Sequence, residues 1–247
     1  MRGLWKLTWT EIKLFLREPV STFFTLIFAP MLLLLFGSIY GNEPSPFFNG
    51  KGTIDISVPA YTALIIGTSG MLSLTINMSV YRERGILRRL QATPLRPQAI
   101  LAAQVIVLFL MTILGMALLI IVGKAVYGLR FEGNPFSVLL AFVLSCLSFF
   151  SLGFVLAGLL PNARTAQVVA MALFYPMMFL SGAGLPLELL PTTIRKFSNF
   201  LPLTHVVTLL RGLWAGESWS KHLTEVGVLA AILVAGVVIS AKTFRWE

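Results

Sequence analysis

The sequence is poor in charged residues, in histidine and in cysteine. Charged residues make up 12% of its 247 positions, there are two histidines, and Cys146 is the single cysteine. One cysteine cannot form an intrachain disulfide, a cysteine-rich zinc site or a redox pair. No group of histidine, cysteine and carboxylate residues has the spacing of a metal site. These absences argue against a disulfide-stabilised secreted domain and against a metalloenzyme.

The sequence also lacks a nucleotide-binding motif. A P-loop requires Gly-x4-Gly-Lys-Ser/Thr, whereas Gly50-Lys51 and Gly123-Lys124 have neither the earlier glycine nor the following hydroxyl residue. We therefore do not expect this chain to hydrolyse ATP by that route. Gly-x-Ser-x-Gly is absent as well. An intramembrane serine hydrolase, with Ser181 as nucleophile and His205 as base, is an enzymatic alternative that rests on a weak pattern.

Apolar residues, by contrast, are abundant. They make up 57% of the chain, and the mean hydropathy is +0.86, which is more apolar surface than one soluble core of this size can bury. A bilayer core about 30 Å thick needs about 20 apolar helical residues. Six uncharged runs meet that length, and the sequence therefore predicts an all-α integral membrane protein with six transmembrane helices. The runs are residues 22–40, 57–80, 98–123, 135–160, 166–185 and 226–241.

The lysines and arginines lie between these runs. Their scatter in short segments, rather than on one polar domain, argues against nucleic acid as the reason for the net charge of +9. Alternate segments hold twelve and seven of the nineteen cations, and the richer side is predicted to be cytoplasmic. Both termini are then cytoplasmic, and residues 41–56, 124–134 and 186–225 face outward.

Residues 81–97, here called the basic loop, form the most cationic segment. The loop contains Arg82, Arg84, Arg88, Arg89 and Arg96. Its apolar residues Ile86, Leu87 and Leu90 have the spacing of one helix face, and Pro94 and Pro97 end the element. The pattern predicts a short amphipathic cytoplasmic helix. Two roles remain open from the residues alone, namely a topological anchor and a docking surface for a soluble partner.

Residues 1–19 are predicted to form an amphipathic helix in the cytoplasmic membrane interface. At 100° per residue, one stripe carries tryptophans and aliphatic side chains, and Pro19 ends the pattern. Tryptophan at headgroup depth and cations towards anionic lipid are typical of such helices, although a calmodulin-binding helix has the same pattern. The apolar stripe is Trp5, Trp9, Ile12 and Leu16, and the cationic stripe includes Lys6, Lys13 and Arg17.

The outer segment after the fifth run has an unusual pattern. Pro176 is expected to kink that run, and the small residues 181–184 favour a turn. Residues 197–210 are uncharged but too short to span, and Pro202 interrupts them. We therefore predict a re-entrant outer loop over residues 186–222. It either caps a pathway or lies in the interface without gating.

The six runs contain no charged residue as drawn, so an ion-coupled carrier is disfavoured and energy is expected from elsewhere. Hydroxyl, amide and aromatic side chains in the spans either contact substrate or pack helices. Ser145, Ser148 and Ser151 of the fourth run share one face, for which we favour helix packing.

Four segments together resemble the membrane subunits of type-2 ATP-binding-cassette (ABC) exporters, the group that contains bacterial drug-resistance permeases. The resemblance covers essentially the whole chain. The segments are Arg17-Glu18-Pro19, Arg82-Glu83-Arg84-Gly85 with Thr93-Pro94-Leu95-Arg96-Pro97, Phe179-Leu180-Ser181-Gly182, and Leu201-Pro202-Leu203-Thr204. Each is weak alone, and their order and spacing over six spans make the match specific.

The resemblance implies a single permease domain over residues 1–247 in the bacterial cytoplasmic membrane. Such permeases form homodimers or related heterodimers and carry two separate ATPase subunits, which bind the ATP and Mg²⁺, so this chain itself holds no cofactor. The basic loop then acts as a coupling helix. The resemblance places Glu83, Arg84, Gly85, Leu87, Arg88 and Leu90 at the ATPase-docking surface, and Thr68, Ser69, Asn77, Phe174, Tyr175, Met178 and Ser181 along the conduit.

The resemblance does not fix the substrate. Short cytoplasmic loops favour export of small amphiphilic drugs or lipids. Polysaccharide or lipid-linked glycan exporters and sodium exporters of the same family remain as alternatives.

Overall fold

The computed structural model describes residues 2–48, 50–86 and 97–243. Within these ranges the chain is helical and contains no strand. Six helices are long and apolar enough to cross a membrane, as the sequence predicts, and their ends differ from the predicted ends by at most seven residues. From first to sixth, the spans are Phe23–Tyr40, Thr53–Glu83, Leu101–Tyr127, Pro135–Leu159, Ala163–Leu180 and Trp219–Thr243.

The remaining helices lie at the two ends of this bundle. The N-terminal helix Arg2–Arg17 precedes the short helix Pro19–Thr22. On the opposite side, the short helix Thr192–Ser198 and the longer helix Pro202–Trp214 follow the fifth span. Single 3₁₀ turns occupy Pro46–Phe48, Leu187–Leu189 and Trp219–His222.

Asparagine side chains fix where two of the spans begin. Asn134 accepts hydrogen bonds from the backbone N–H groups of Phe136 and Ser137, and Asn162 accepts one from Thr165 at 2.8 Å. Each side chain satisfies N–H groups that a helix start leaves without an internal partner. The fourth and fifth spans therefore begin at a defined residue instead of fraying.

The second span is the central helix of the bundle. It packs against the first, third, fourth and fifth spans and against the helix Pro202–Trp214. Most of its residues are buried as a result. The sixth span lies at the periphery, where it contacts the fourth span and the helix Pro202–Trp214, and Leu229 and Gly236 are the buried residues of its α-helical part, Leu223–Thr243.

Glycine allows the second and fourth spans to cross at close range. Gly70 packs against the backbone of Phe149, and Gly153 packs against the carbonyl oxygen of Gly70. A Cβ at either glycine would overlap backbone atoms of the other span. The Thr75 hydroxyl adds a hydrogen bond to the Gly153 carbonyl oxygen at 3.2 Å. Small residues at a helix crossing are a common basis of helix association in membranes.

Serines of the fourth span attach the sixth span. The Ser148 hydroxyl donates to the Leu229 carbonyl oxygen at 2.8 Å, and Ser151 donates within its own helix at 2.7 Å while packing against Gly236. These contacts confirm the helix-packing interpretation for Ser148 and Ser151. Ser145 is fully buried, and its hydroxyl has no hydrogen-bond partner among the described residues.

Two spans contain π-helical segments, namely Phe23–Ile27 in the first and Thr68–Leu74 in the second. The two segments contact each other. Each contains a fully buried hydroxyl, that of Thr25 and that of Ser69, with no hydrogen-bond partner within the part of the chain that the structure describes. A π-helical turn holds an additional residue and breaks the regular hydrogen-bond pattern.

The helix Pro202–Trp214 forms the re-entrant element that the sequence predicts. Its first turn places Leu203 beside Gly67 of the second span, which lies fourteen residues, or about 20 Å, along that helix from its outer end. At its other end, the Trp214 indole donates to the Arg130 carbonyl oxygen at 3.1 Å. The helix thus rises from near mid-span to the predicted outer side without crossing.

Candidate functional site

The predicted cytoplasmic end of the second span is joined to three other parts of the chain. Three consecutive residues, Tyr81, Arg82 and Glu83, each form hydrogen bonds to a different element, and the basic loop begins with the same residues. We call these three residues the 81–83 junction.

Tyr81 connects the junction to the N-terminal helix. Its hydroxyl donates to the Glu11 carboxylate at 2.6 Å, and Glu11 is 7% exposed. Burial raises the pKa of Glu11 above its ordinary value, while hydrogen bonds from Tyr81 and Gln104 partly oppose the shift. Glu11 is the acidic residue of an otherwise basic helix, and this exception was the signal in the sequence for an inward-facing contact.

The raised pKa of Glu11 gives stability a defined dependence on pH. Because the folded pKa lies above 4.5, the folded state binds more protons, and stability decreases as pH rises from about 4.5 through the folded pKa. We expect Glu11→Gln to remove this part of the dependence while the exposed Glu43→Gln leaves it unchanged. Thermal unfolding of the three proteins in detergent between pH 4.5 and 7.5 would measure it, and parallel curves for wild type and Glu11→Gln would contradict it.

Arg82 caps the C-terminal end of the fourth span. Its guanidinium donates to the carbonyl oxygen of Ala157 at 2.8 Å and also to that of Leu160. Ala157 lies in the last turn of the fourth span and Leu160 directly follows its last residue, at the end of a helix where carbonyls lack internal partners and the helix dipole is negative. A cation at this position therefore satisfies both the hydrogen-bonding groups and the dipole.

Glu83 binds the start of the fifth span. Its carboxylate accepts a hydrogen bond from the backbone N–H of Ala163 at 2.9 Å, the first residue of that helix. The N–H groups there are free and the dipole is positive. The adjacent residues Arg82 and Glu83 therefore hold the two sides of one short turn, each with the charge that the helix end requires.

The structure describes three of the six predicted ATPase-docking residues. Glu83, Arg84 and Gly85 are described, and Leu87, Arg88 and Leu90 lie outside the described residues. Arg84 is exposed, and Gly85 ends the second span with a φ of 64°, a conformation that favours glycine. Glu83 is exposed but already bonded to Ala163. The docking role of these residues stays a prediction.

The N-terminal helix exposes Trp5, Trp9 and Leu16 of the stripe that the sequence assigns to lipid, whereas Ile12 is partly buried and packs against the core. Trp5 and Trp9 are 71% and 53% exposed, and the Lys13 ammonium lies 5.5 Å from the centre of the Trp9 ring. Arg17, the last residue of the helix, is exposed too. The opposite face contains Thr8, Glu11 and Phe15, which are buried, and the helix packs against the third span.

The predicted conduit residues occupy two kinds of position. Thr68, Ser69, Phe174, Met178 and Ser181 are buried among helices of the same chain. Tyr175 is 36% exposed on the fifth span, and Asn77 is partly buried on the second. The structure therefore does not bring the whole set to one surface.

The hydrolase alternative lacks a catalytic pair. Ser181 is fully buried, and its hydroxyl oxygen accepts from the Ala183 N–H at 3.3 Å. The His205 ring bonds the Asn199 carbonyl oxygen at 3.0 Å. No hydrogen bond joins Ser181 to His205 within the part of the chain that the structure covers, so the sequence pattern has no geometric counterpart.

Asp55 corrects the expectation that the spans contain no charge. The second span begins at Thr53 and not at the predicted residue 57, and Asp55 lies in its first turn, 8% exposed. The carboxylate accepts from the Arg130 backbone N–H at 2.9 Å and from the Asn42 amide at 3.1 Å. Asp55 therefore joins two of the three predicted outer loops to the start of the second span, which is a structural role.

A charged cleft of about 460 Å³ lies next to Asp55 on the predicted outer side. The Arg211 guanidinium donates to the Glu188 carboxylate at 2.7 Å. Burial would raise the pKa of Glu188, but the hydrogen bond and charge of Arg211 outweigh it and lower the pKa. His222 lies 3.1 Å from the Glu217 carboxylate. The two arginines of the cleft thus each face a carboxylate, Arg211 facing Glu188 and Arg130 facing Asp55.

A second groove of about 490 Å³ lies on the other side of Phe48, which lines both cavities. Its walls come from the outer ends of the first and second spans and from residues 184–186. Tyr61 lies eight residues inside the second span, so the groove extends about 12 Å along that helix. Its aromatic residues are Phe36, Tyr40, Phe48 and Tyr61, and among the described lining residues Glu43 is the charged one.

These features define a polytopic helical membrane protein. Of the six spans, the first, third, fourth and fifth pack against the central second span, the basic loop follows its predicted cytoplasmic end, and the re-entrant helix covers part of the opposite side. Among the described residues no cluster of histidine, cysteine and carboxylate groups could hold a metal ion.

The model of the ABC-2 type transporter family matches residues 2–214, and the chain therefore belongs to that family. Membership confirms the resemblance that the sequence motifs indicate.

Curated relatives support the same family. The chain is 32% identical over 99 residues to Nodulation protein J of Rhizobium leguminosarum bv. viciae, covering 40% of this chain and 38% of that protein. The Escherichia coli K12 probable multidrug ABC transporter permease YbhS is 23% identical, covering 64% and 42%. The putative transport permease ycf38 of Cyanophora paradoxa is 26% identical, covering 90% and 78%. The match thus spans under half the length of the first two relatives.

Proposed function

We propose that this chain is the permease subunit of an exporter that is driven by a separate ABC ATPase. Family membership supports a transport role. The sequence has no P-loop of its own, so the energy comes from a partner chain that binds ATP and Mg²⁺. Coupling to the ATPase is supported by the 81–83 junction, because it joins the start of the basic loop to the N-terminal helix and to the fourth and fifth spans.

The proposed assembly contains two permease copies, identical or related, and two ATPase subunits. The basic loop and both termini lie in the cytoplasm in this proposal, which the distribution of lysine and arginine supports. The membrane is the bacterial cytoplasmic membrane. In this arrangement the exposed face of the fifth span, which includes Tyr175, is available to line a conduit between the two permeases.

The substrate that the structure supports best is a small amphiphile. The groove beside Phe48 offers aromatic walls within the outer half of the bilayer, and Phe36 stacks on Tyr40 with ring centres 6.4 Å apart. Aromatic faces hold apolar bodies and attract cations. Glu43 places one negative charge at the groove. The groove thus suits an apolar molecule with a cationic head group at the exit of the pathway.

Binding of rhodamine 6G, an amphiphilic cation, to the purified chain tests the groove. We expect Glu43→Gln to weaken binding about fivefold, because an exposed ion pair contributes up to about 1 kcal/mol. Binding of the neutral dye Nile red should be unchanged, and Glu132→Gln in the charged cleft should leave both dyes unaffected. Fluorescence anisotropy measures each affinity.

Transport in inside-out vesicles decides among the substrate classes. ATP-dependent accumulation of rhodamine 6G supports the amphiphile proposal. Accumulation of radiolabelled oligosaccharide or of ²²Na⁺, with no movement of rhodamine 6G, would replace it with a glycan or a sodium exporter.

A further inference from the structure

We infer that Tyr81, Arg82 and Glu83 transmit movement of the basic loop to the N-terminal helix and to the fifth span. The inference rests on the proposed function, since it assumes that an ATPase moves the basic loop. It assigns Arg82 and Glu83 a positioning role within this chain, in addition to any contact that the loop makes with a partner.

Helix geometry explains how three adjacent residues reach three separate elements. Successive side chains on an α-helix point about 100° apart, so residues i, i+1 and i+2 face different neighbours. Tyr81 reaches Glu11, Arg82 reaches the end of the fourth span, and Glu83 reaches the start of the fifth. Rotation or tilt of the second span at this level therefore acts on all three neighbours together.

The hydrogen bonds of Arg82 and Glu83 to the turn between the fourth and fifth spans can transmit a displacement of the second span to that turn. Arg82 makes two bonds to carbonyl oxygens and Glu83 makes one to a backbone N–H, and each involves an ionised group. Charge-assisted bonds are about twice as strong as neutral ones. The bonds end on backbone atoms and not on mobile side chains, so the turn follows the end of the second span.

The fifth span connects this turn to the predicted conduit. It begins at Ala163, the residue that Glu83 binds, and its exposed face includes Gln167 and Tyr175. Its buried face packs against the last part of the second span. Displacement of the basic loop therefore reaches the fifth span both through packing and through the Glu83 bond.

A role limited to stability makes a different prediction from a role in transmission. If Arg82 and Glu83 only cap helices, their loss lowers thermal stability and reduces transport and ATP hydrolysis in equal proportion. If they transmit movement, ATP hydrolysis continues and the number of substrate molecules exported for each ATP falls.

The test uses the permease reconstituted with its co-purifying ATPase in liposomes. We expect Arg82→Gln and Glu83→Ala each to retain the ATPase and its hydrolysis rate, while rhodamine 6G export for each ATP falls about tenfold or more. Glu83→Gln keeps a carbonyl acceptor for Ala163 and should restore part of the ratio. Arg164→Gln, which changes an exposed arginine of the same turn, should leave the ratio unchanged.

A distance measurement separates transmission from folding. Spin labels at Ile86 and Gln167 report the separation between the basic loop and the fifth span, in the resting state and after trapping with ATP and vanadate. We expect the separation to stay constant in the wild type and to widen by several ångströms in Arg82→Gln and Glu83→Ala.

Two results would overturn the inference. One is a wild-type export ratio in both Arg82→Gln and Glu83→Ala, and the other is an equal loss of the ratio in Arg164→Gln. If the proposed function itself is wrong, the result is different: the wild-type complex shows no ATP-dependent export of any tested substrate.

Discussion

Replacement of Gly153 by alanine is expected to disrupt the bundle more than any other single methyl group added within the spans. The new Cβ would overlap the carbonyl oxygen of Gly70 and lie 3.0 Å from the Leu74 side chain. A backbone oxygen in the middle of a buried span cannot move aside as a flexible side chain can. Overpacking of a core costs about 1–3 kcal/mol, and more where the backbone must shift.

The measurement is the fraction of monodisperse protein after heating in detergent, read by fluorescence-detected size exclusion. We expect Gly153→Ala to lower the midpoint by about 10 °C or to prevent accumulation of folded protein. The same substitution at Gly227 of the sixth span provides the control, because a Cβ there meets nothing within 4 Å. Equal midpoints for the two variants would show that the second and fourth spans do not cross on these glycines.

The number and order of the spans could be predicted from hydropathy because lipid imposes a simple rule on length and polarity. The second span shows the limit of that rule. Its central position and its π-helical segment Thr68–Leu74 depend on contacts with four other spans, and no property of a single segment reports such contacts. The boundary at Thr53 was missed for a related reason, since Asp55 is tolerated only through its bonds to Asn42 and Arg130.

The candidate site could be predicted in part. The basic loop and the lipid-facing tryptophans follow from composition and helical spacing, which are local properties. The hydrogen bonds of Arg82 and Glu83 could not be predicted, because they join residues about 80 positions apart in sequence. In the sequence alone, the two charged residues look the same as those of a topological anchor. Several predicted conduit residues, such as Thr68 and Phe174, are instead enclosed within the chain. Their burial could not be predicted, because a polar or aromatic residue in a span has no sequence signature that separates packing from pore lining.

Conversion of Arg84, Arg88 and Leu90 to glutamate is expected to abolish association with the ATPase while the permease still inserts. Under the proposed function, these residues form a cationic and apolar docking surface on the basic loop. Three glutamates replace two positive charges with negative ones and place a carboxylate where an apolar contact is expected. Loss of complementary charge and of a buried apolar contact each cost several kcal/mol at protein interfaces, so the combined change should exceed a hundredfold loss of affinity.

Affinity purification of the tagged permease from native membranes, followed by mass spectrometry, measures the effect. We expect a polypeptide with ATPase motifs in the wild-type eluate and its absence from the triple variant, at equal permease yield. The variant Lys242→Glu reverses an exposed cation at the predicted cytoplasmic end of the sixth span and should retain the partner. Because the triple substitution leaves Tyr81, Arg82 and Glu83 unchanged, its loss of the partner would separate docking, a property of the loop surface, from transmission through the 81–83 junction. Retention of the ATPase by the triple variant would instead place the docking surface outside the basic loop.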